Sequence, residues 1–279
     1  MIRSYAKLNL FLRVVKKLKN GFHNIQTNSV LIDLHDEINI KSIFGPKDII
    51  NFNGKFKKNI KKNKNTVIQI LLLLRQNGLI KKDKKFKITI KKKIPVFSGL
   101  GGGTSNAIYI LKYFIKKKLN DKLLKKIEKK IGTDSRLFIF KNSIQEDLFK
   151  VRENKQNLKM YFILFHPKFK CSTKEIYKKN RQFRKKINLS SLTFKSARYY
   201  VNFLKKEAND LQQVVIKKNK KIKNVLNLIS KQQNCQFSRI TGSGSICYGM
   251  FSNRKSAILG MKIIKKKFPS NWCVITKTI

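Results

Sequence analysis

Ile94-Pro95-Val96-Phe97-Ser98-Gly99-Leu100-Gly101-Gly102-Gly103-Thr104-Ser105-Asn106-Ala107 is the stretch whose reading decides the fold. Four of the chain's 13 glycines crowd into positions 99–103. Ahead of it, Phe86-Lys87-Ile88-Thr89-Ile90 alternates apolar and polar residues with the period of a strand. Behind it, Ala107, Ile108, Ile110, Leu111, Phe114 and Ile115 recur at helical spacing. Strand, glycine loop and helix start together suit an anion such as phosphate. Glycines let the backbone approach closely and turn its N–H groups inward, and a helix start adds unpaired N–H groups and the positive end of the helix dipole. Thr104 and Ser105 are expected at that start. A flexible loop ahead of a helix would read the same way from these residues alone.

Outward from this loop, residues 5–15 read as a strand and 22–40 as two strands that turn near 34–36. Residues 52–63 form a connection rich in Lys and Asn, and Asn20-Gly21 a turn. Residues 66–76 read as a helix capped by Asn65 and closed by Gly78. Helices are expected over 104–118 and 121–131, followed by a strand-like apolar run at 137–140. The polar segment 145–157 is the expected link between two domains, 1–150 and 151–279. Beyond it come a strand at 160–165 and helical stretches at 190–206 and 211–231. The end reads strand (236–240), glycine turn, strand (245–251), helix (256–267) and strand (273–276). Strands and helices mix without strict alternation, which argues for an α+β class rather than a doubly wound sheet.

Composition narrows the function. With 279 residues, 41% of them hydrophobic, the chain can build a substantial core. The longest apolar run, Ile70 to Leu74, is far short of a bilayer span. Met1-Ile2-Arg3-Ser4 begins no compact signal segment, and the four cysteines show no C-x-x-C pair or metal spacing, so a reduced, cytoplasmic protein is expected. Lys and Arg outnumber Asp and Glu by 65 to 14, a formal net charge of +51. The excess is mostly Lys and runs along the whole chain instead of forming one arm, the pattern of solvated faces drifting in composition. It still implies non-specific nucleic-acid binding at low salt. His23, His35 and His166 share no ligand spacing, so no metal–histidine centre is expected. Neither a G-x-x-x-x-G-K-[ST] loop nor the D-F-G and H-R-D marks of protein kinases are present.

Three further features carry chemistry. Asp134 lies between Ile131-Gly132 and an apolar run, where a scarce carboxylate is either a turn cap or a functional acid. Lys7 is the only charge between Arg3 and Arg13, inside an apolar strand. If it points inward it needs an anionic partner; most lysines are simply solvated. Ser238-Arg239-Ile240-Thr241-Gly242-Ser243-Gly244-Ser245 is a second glycine turn, either a plain hairpin or the other side of a polyanion site.

Taken together, these segments resemble the GHMP kinase superfamily, and within it the branch acting on a cytidine diphosphate-linked methylerythritol. Ala6-Lys7-Leu8-Asn9-Leu10 matches A-K-[IL]-N-L. Asn20-Gly21-Phe22-His23-Asn24-Ile25-Gln26-Thr27 matches D-G-[YF]-H-x-[IL]-x-[ST]. Pro95 through Ala107 is similar to P-x-x-x-G-L-G-G-G-S-S-N-A, and Ser238 through Ser245 to S-R-x-T-G-S-G-[SA]. His166-Pro167 and Asn209-Asp210-Leu211 also resemble family positions.

The resemblance implies a two-domain α+β fold with the active site in the interdomain cleft, using ATP and Mg²⁺ to phosphorylate a small-molecule alcohol. It assigns catalysis to Lys7 and Asp134. It assigns ATP binding to Asn65, Pro95, Val96, Phe97, Ser98, Gly99, Leu100, Gly101, Gly102, Gly103, Thr104 and Ser105. It assigns substrate binding to Asn9, Phe22, His23, Thr173 and Tyr177, with the cytosine between Phe22 and Tyr177 and hydrogen-bonded to His23. No protein metal ligand is implied.

Two departures stand out. The family's G-x-D-[VC]-P-F-F is here Gly132-Thr133-Asp134-Ser135-Arg136-Leu137-Phe138, so Arg136 replaces a proline and is expected to bear on the backbone or charge of Asp134. Phe97 and Ser98 replace residues that are often small. A GHMP kinase for another alcohol, or a basic nucleic-acid-binding protein on an inactive kinase fold, would share parts of this pattern.

Overall fold

The computed structural model describes the whole chain except residues 20, 59, 62, 116–118, 157 and 190–193. The expected turn at Asn20, the end of the 104–118 helix and the start of the 190–206 helix therefore fall partly outside the described residues.

The chain forms two compact units: Met1–Lys7, Leu34–Val96 and Gly101–Ile139 make the first, and Leu8–Asp33, Phe97–Leu100 and Phe140–Ile279 the second. The expected division into 1–150 and 151–279 follows chain order, whereas these units interleave. Two long strands, β1 (Ile2–Lys17) and β2 (His23–Ile43), pair with each other and contribute to both.

In the first unit, β4 (Lys85–Lys91) pairs antiparallel with Glu37–Ile43 of β2 and parallel with β3 (Ile49–Asn53). Among the described residues, three α-helices and a 3-10 turn complete it. α1 (Thr66–Gln76) starts at Asn65, whose side chain accepts from the Val67 and Ile68 N–H groups, as its cap position requires. It buries Val67, Ile70, Leu71, Leu73 and Leu74 and packs on α2 (Gly102–Phe114) and α3 (Asp121–Ile131). α3 is capped by Asn120 and buries Leu123, Leu124 and Ile127.

In the second unit, Thr27–Val30 of β2 pairs with β5 (Asn142–Gln145), which pairs with β6 (Val151–Glu153). A separate four-stranded antiparallel sheet has the order β10-β7-β9-β8, from β7 (Tyr161–Phe165), β8 (Cys235–Ile240), β9 (Cys247–Phe251) and β10 (Cys273–Lys277). Helices α4 (Thr173–Lys179), α5 (Ala197–Lys206), α6 (Gln212–Lys218), α7 (Lys221–Ser230) and α8 (Arg254–Lys267) lie in this unit. Ile163, Phe165, Val215, Val225, Ile229, Ile240 and Phe251 are among its fully buried core residues.

Four expectations change. Residues 22–40 form no turn at 34–36: β2 runs straight through, because the buried Asp36 carboxylate takes the Lys93 and Ile94 N–H groups at 2.7 and 2.9 Å and needs no solvent. The run 137–140 is no strand but the end of a 3-10 helix, Thr133–Phe138, with Leu137 and Phe138 buried. The segment 145–157 is largely the β5–β6 hairpin. The helical stretch 211–231 is two helices, broken where Asn219 accepts from the Lys221 N–H.

Candidate active site

Lys7 points into the first unit, where its ammonium lies 3.1 Å from Asp134 Oδ2. The Lys7 side chain is only 2% exposed and that of Asp134 38%. An inward lysine is tolerable only with such a partner, while the carboxylate keeps enough open surface to meet a ligand. Gly132 sets this up. It ends α3 with φ +142°, a conformation that L side chains rarely adopt, and so starts the 3-10 turn that carries Asp134.

The phosphate-type turn lies in the same unit. The helix starts two residues earlier than expected: Gly101, with φ +70°, is the cap, and α2 begins at Gly102. Thr104 and Ser105 therefore belong to the first turn, and the Ser105 N–H already bonds the Gly101 carbonyl at 2.8 Å. The N–H groups of Gly102, Gly103 and Thr104 have no partner within the helix, the ordinary state of a helix start. A Cβ on Gly101 would come within 2.7 Å of Phe138 Cζ and 3.4 Å of Lys7 Cε, so the lysine stem runs directly past the turn. Thr104 Oγ1 lies 3.7 Å from where a Gly132 Cβ would be. Backbone donors, a buried cation and a part-exposed carboxylate thus meet around one spot. Asn65 serves as a helix cap, and Thr66 Oγ1 donates to the Gly103 carbonyl at 2.7 Å, tying the start of α1 to the glycine turn. Pro95 is buried and Val96 half-buried.

In the second unit, Phe97–Leu100 meets the second glycine turn. The Ile246 N–H bonds the Ser98 carbonyl at 3.1 Å, and Thr241 Oγ1 lies 3.5 Å from the Gly99 carbonyl. The two glycine stretches read separately from sequence are therefore in contact. Phe97 adopts φ +54°, which explains why small residues are usual at such a position. Asn9 is almost fully buried: its amide donates to Thr27 Oγ1 at 3.0 Å, and its own N–H donates to Thr241 Oγ1 at 3.1 Å. Asn209 donates to the carbonyls of Ile240 and Gly242, holding the same turn.

The aromatic group is also in this unit. The His23 ring lies 5.0 Å from that of Tyr177 and, nearly parallel, 6.4 Å from that of Phe183. Burial and the Lys17 charge both hold its pKa below the ordinary histidine value, so at neutral pH it offers one donor and one acceptor. Phe22 is 44% exposed. Thr173 Oγ1 and Ser243 Oγ are hydrogen-bonded at 3.0 Å. Phe183 was not singled out from the sequence, because an isolated Phe in a basic segment gives no signal of its neighbours; Ser243 was read as part of the second glycine turn, not as a neighbour of Thr173.

Arg136 bears on Asp134 through the backbone of its turn, not by an ion pair with it. Its guanidinium pairs with Glu128 at 2.8 Å and Asp121 at 2.7 Å, both on α3. It fastens the Asp134 turn to the preceding helix, a tie that a proline would not make. Burial pushes the Glu128 carboxyl up, against the pull of Arg136. Arg136→Met is expected to cost about 3–5 kcal/mol by leaving that carboxylate buried and unpaired. Adding Glu128→Gln should restore most of it. A group whose pKa is raised on folding loses its contribution as pH rises, so the single variant's deficit should shrink as the medium is acidified toward the ordinary glutamate range. Urea unfolding of both variants across pH checks this.

Residues 65–137 match the model of the GHMP kinases N terminal domain. Over an alignment of 286 positions the chain is 38% identical to the 4-diphosphocytidyl-2-C-methyl-D-erythritol kinase of Pelagibacter ubique, covering 100% of this chain and 98% of that one. The kinase of the same name from Wolbachia pipientis wMel is 30% identical over 297 residues, with 100% and 98% covered. Among solved structures, a 4-(cytidine 5'-diphospho)-2C-methyl-D-erythritol kinase superimposes with a TM-score of 0.73 at 18% identity, covering 100% of this chain and 99% of that one. A mevalonate kinase reaches 0.69 at 19% identity, covering 99% and 98%. These structural matches establish the mixed α+β kinase fold. With full-length identity of this order added to the motifs and their geometry, the chain belongs to the 4-diphosphocytidyl-2-C-methyl-D-erythritol kinase family of the GHMP kinases.

Proposed function

We propose that this chain transfers the γ-phosphoryl group of ATP to the C2 hydroxyl of 4-diphosphocytidyl-2-C-methyl-D-erythritol, a step of the non-mevalonate route to isoprenoid precursors. The observation that carries the reading is the Lys7–Asp134 pair beside the Gly101 turn. Asp134 takes the proton of the acceptor hydroxyl as its oxygen bonds the γ-phosphorus and the bond to the β–γ bridging oxygen breaks, leaving ADP. Lys7, 3.1 Å from Asp134, orients that carboxylate and offsets charge developing on the transferred group. The N–H groups of Gly102, Gly103 and Thr104 hold phosphate oxygens at the positive end of α2.

The residues present suit Mg²⁺ carried in by the nucleotide. Phosphate oxygens and water would supply most of its ligands, and the Thr104 hydroxyl, in the first turn of α2, could add a side-chain oxygen. The ion would neutralise phosphate charge during transfer.

His23, Tyr177 and Phe22 are the reading's cytosine site: a flat base stacks on aromatic rings, and a neutral imidazole reads its polar edge. Family kinship supports the cytidine-linked acceptor over mevalonate or homoserine. The test is the transfer rate on each of the three acceptors, for wild type and His23→Ala. The expected result is activity on the cytidine-linked acceptor alone, with its KM raised about tenfold or more in the variant, the effect of losing a buried hydrogen bond and ring contact. Equal rates on mevalonate, or a variant with unchanged KM, would remove the cytosine assignment.

A further inference from the structure

A buried ion pair in the first unit takes no part in the chemistry above. The Lys92 ammonium is bonded to Asp36 Oδ2, both side chains being at most 2% exposed. The same ammonium donates to Asn106 Oδ1 at 2.9 Å. The Asn106 amide in turn donates to Asp36 Oδ2 and to Ser4 Oγ, each at 3.0 Å. Ser4 Oγ is hydrogen-bonded to Ser105 Oγ at 2.7 Å. Ser105 and Asn106 both belong to α2, just beyond its phosphate-facing N–H groups. Lys92 Nζ also lies 3.5 Å from where a Gly102 Cβ would be, directly under the first residue of the helix.

Such a pair is poorly explained as a stability device alone. Removing two charges from water costs several kcal/mol per ion, and well-packed apolar residues often serve as well or better. What the pair achieves here is geometric. It joins β2, the strand end before the glycine loop, and α2 in one hydrogen-bonded network, and two of its members, Ser105 and Asn106, sit in the first turns of α2. A backbone anion site depends on the aim of its N–H groups, which a small shift of the helix start would spoil.

We infer that Asp36, Lys92 and Asn106 are positioning residues that fix the α2 start for the nucleotide triphosphate. The inference rests on the reading that ATP is the phosphoryl donor bound at this turn. Loosening the network therefore acts on ATP and leaves the acceptor alone. In the Asp36→Asn/Lys92→Met double variant, which removes both charges together, the KM for ATP rises about tenfold, the effect of losing hydrogen bonds to a charged group, while the KM for the acceptor stays within about twofold.

The experiment is steady-state kinetics of wild type and variant with each substrate varied, beside thermal unfolding. Asn106→Ala is measured in parallel, since it keeps the ion pair and cuts only its link to α2; if the double variant does not fold, this one decides, and its KM for ATP is expected to rise selectively as well. A folded variant in which both KM values move together, or neither moves, overturns the inference and leaves the network a stability element. Wild-type protein that shows no ATP-dependent transfer overturns the functional reading itself, a result told apart by measuring wild type first.

Discussion

Replacing Asp134 with Asn is expected to lower kcat by about a thousandfold while leaving the fold and the KM for ATP nearly unchanged, the usual loss when a general base is removed. The substitution keeps the shape of the side chain beside Lys7 but removes its ability to take a proton. Lys7→Met is expected to lower kcat by a similar factor, about a hundred- to a thousandfold, through loss of the cation facing the transferred group. Met fills nearly the volume of the buried lysine stem, so packing against the Gly101 turn is retained. Lys7 and Asp134 act as a unit, so the double variant should be little worse than either single one. Turnover measured beside unfolding curves checks all three. A folded Asp134→Asn protein within about tenfold of wild type would rule out that carboxylate as the base.

Gly99→Ala should cost the fold much of its stability. A Cβ at this position would lie 2.0 Å from the Thr241 carbonyl oxygen and 3.1 Å from that of Gly244, both backbone atoms with no flexible end to move aside. The residue also has φ +82°, which itself costs an L side chain about 1–2 kcal/mol. Forced overpacking adds about 1–3 kcal/mol, for a total of roughly 3 kcal/mol or more in urea unfolding. Gly103→Ala is the contrasting control. Its Cβ would find nothing closer than 3.5 Å, and its φ is not in the left-handed region, so stability should change by less than about 1 kcal/mol. Equal losses at the two sites would mean that the contact between the glycine stretches is not what holds the loop.

How much of this was legible in the sequence depended on whether local chemistry or a distant partner decided each residue's place. α1 and α3 were read to the residue, α1 because Asn65 is a side-chain cap that announces a helix start. The start of α2 was misplaced by two residues because Gly101 caps by conformation, not by a side chain, and Thr104 and Ser105 looked like the better caps. Lys7 was legible as an anomaly, a lone charge in an apolar strand that needed an anion, and Asp134 proved to be that anion.

Asp36 was misread as a turn residue because its partners are 56 to 70 positions away. Lys92 was hidden in the run Lys91-Lys92-Lys93, where nothing local separates a buried ammonium from its solvated neighbours. Glu128 did carry a signal that went unused: it shares a helical face with Leu124 and Ile131, where a carboxylate implies a buried cation, here Arg136. The aromatic contact of His23 with Phe183 spans 160 positions and has no counterpart in local pattern.

The most direct measurement is phosphorus NMR of the product formed when wild-type protein is given ATP, Mg²⁺ and 4-diphosphocytidyl-2-C-methyl-D-erythritol. The account predicts one new phosphomonoester signal, on the C2 oxygen, appearing as ADP forms and absent with Asp134→Asn over the same interval. ADP without that ester, an ester on another hydroxyl, or the same ester at the same rate from Asp134→Asn would contradict it.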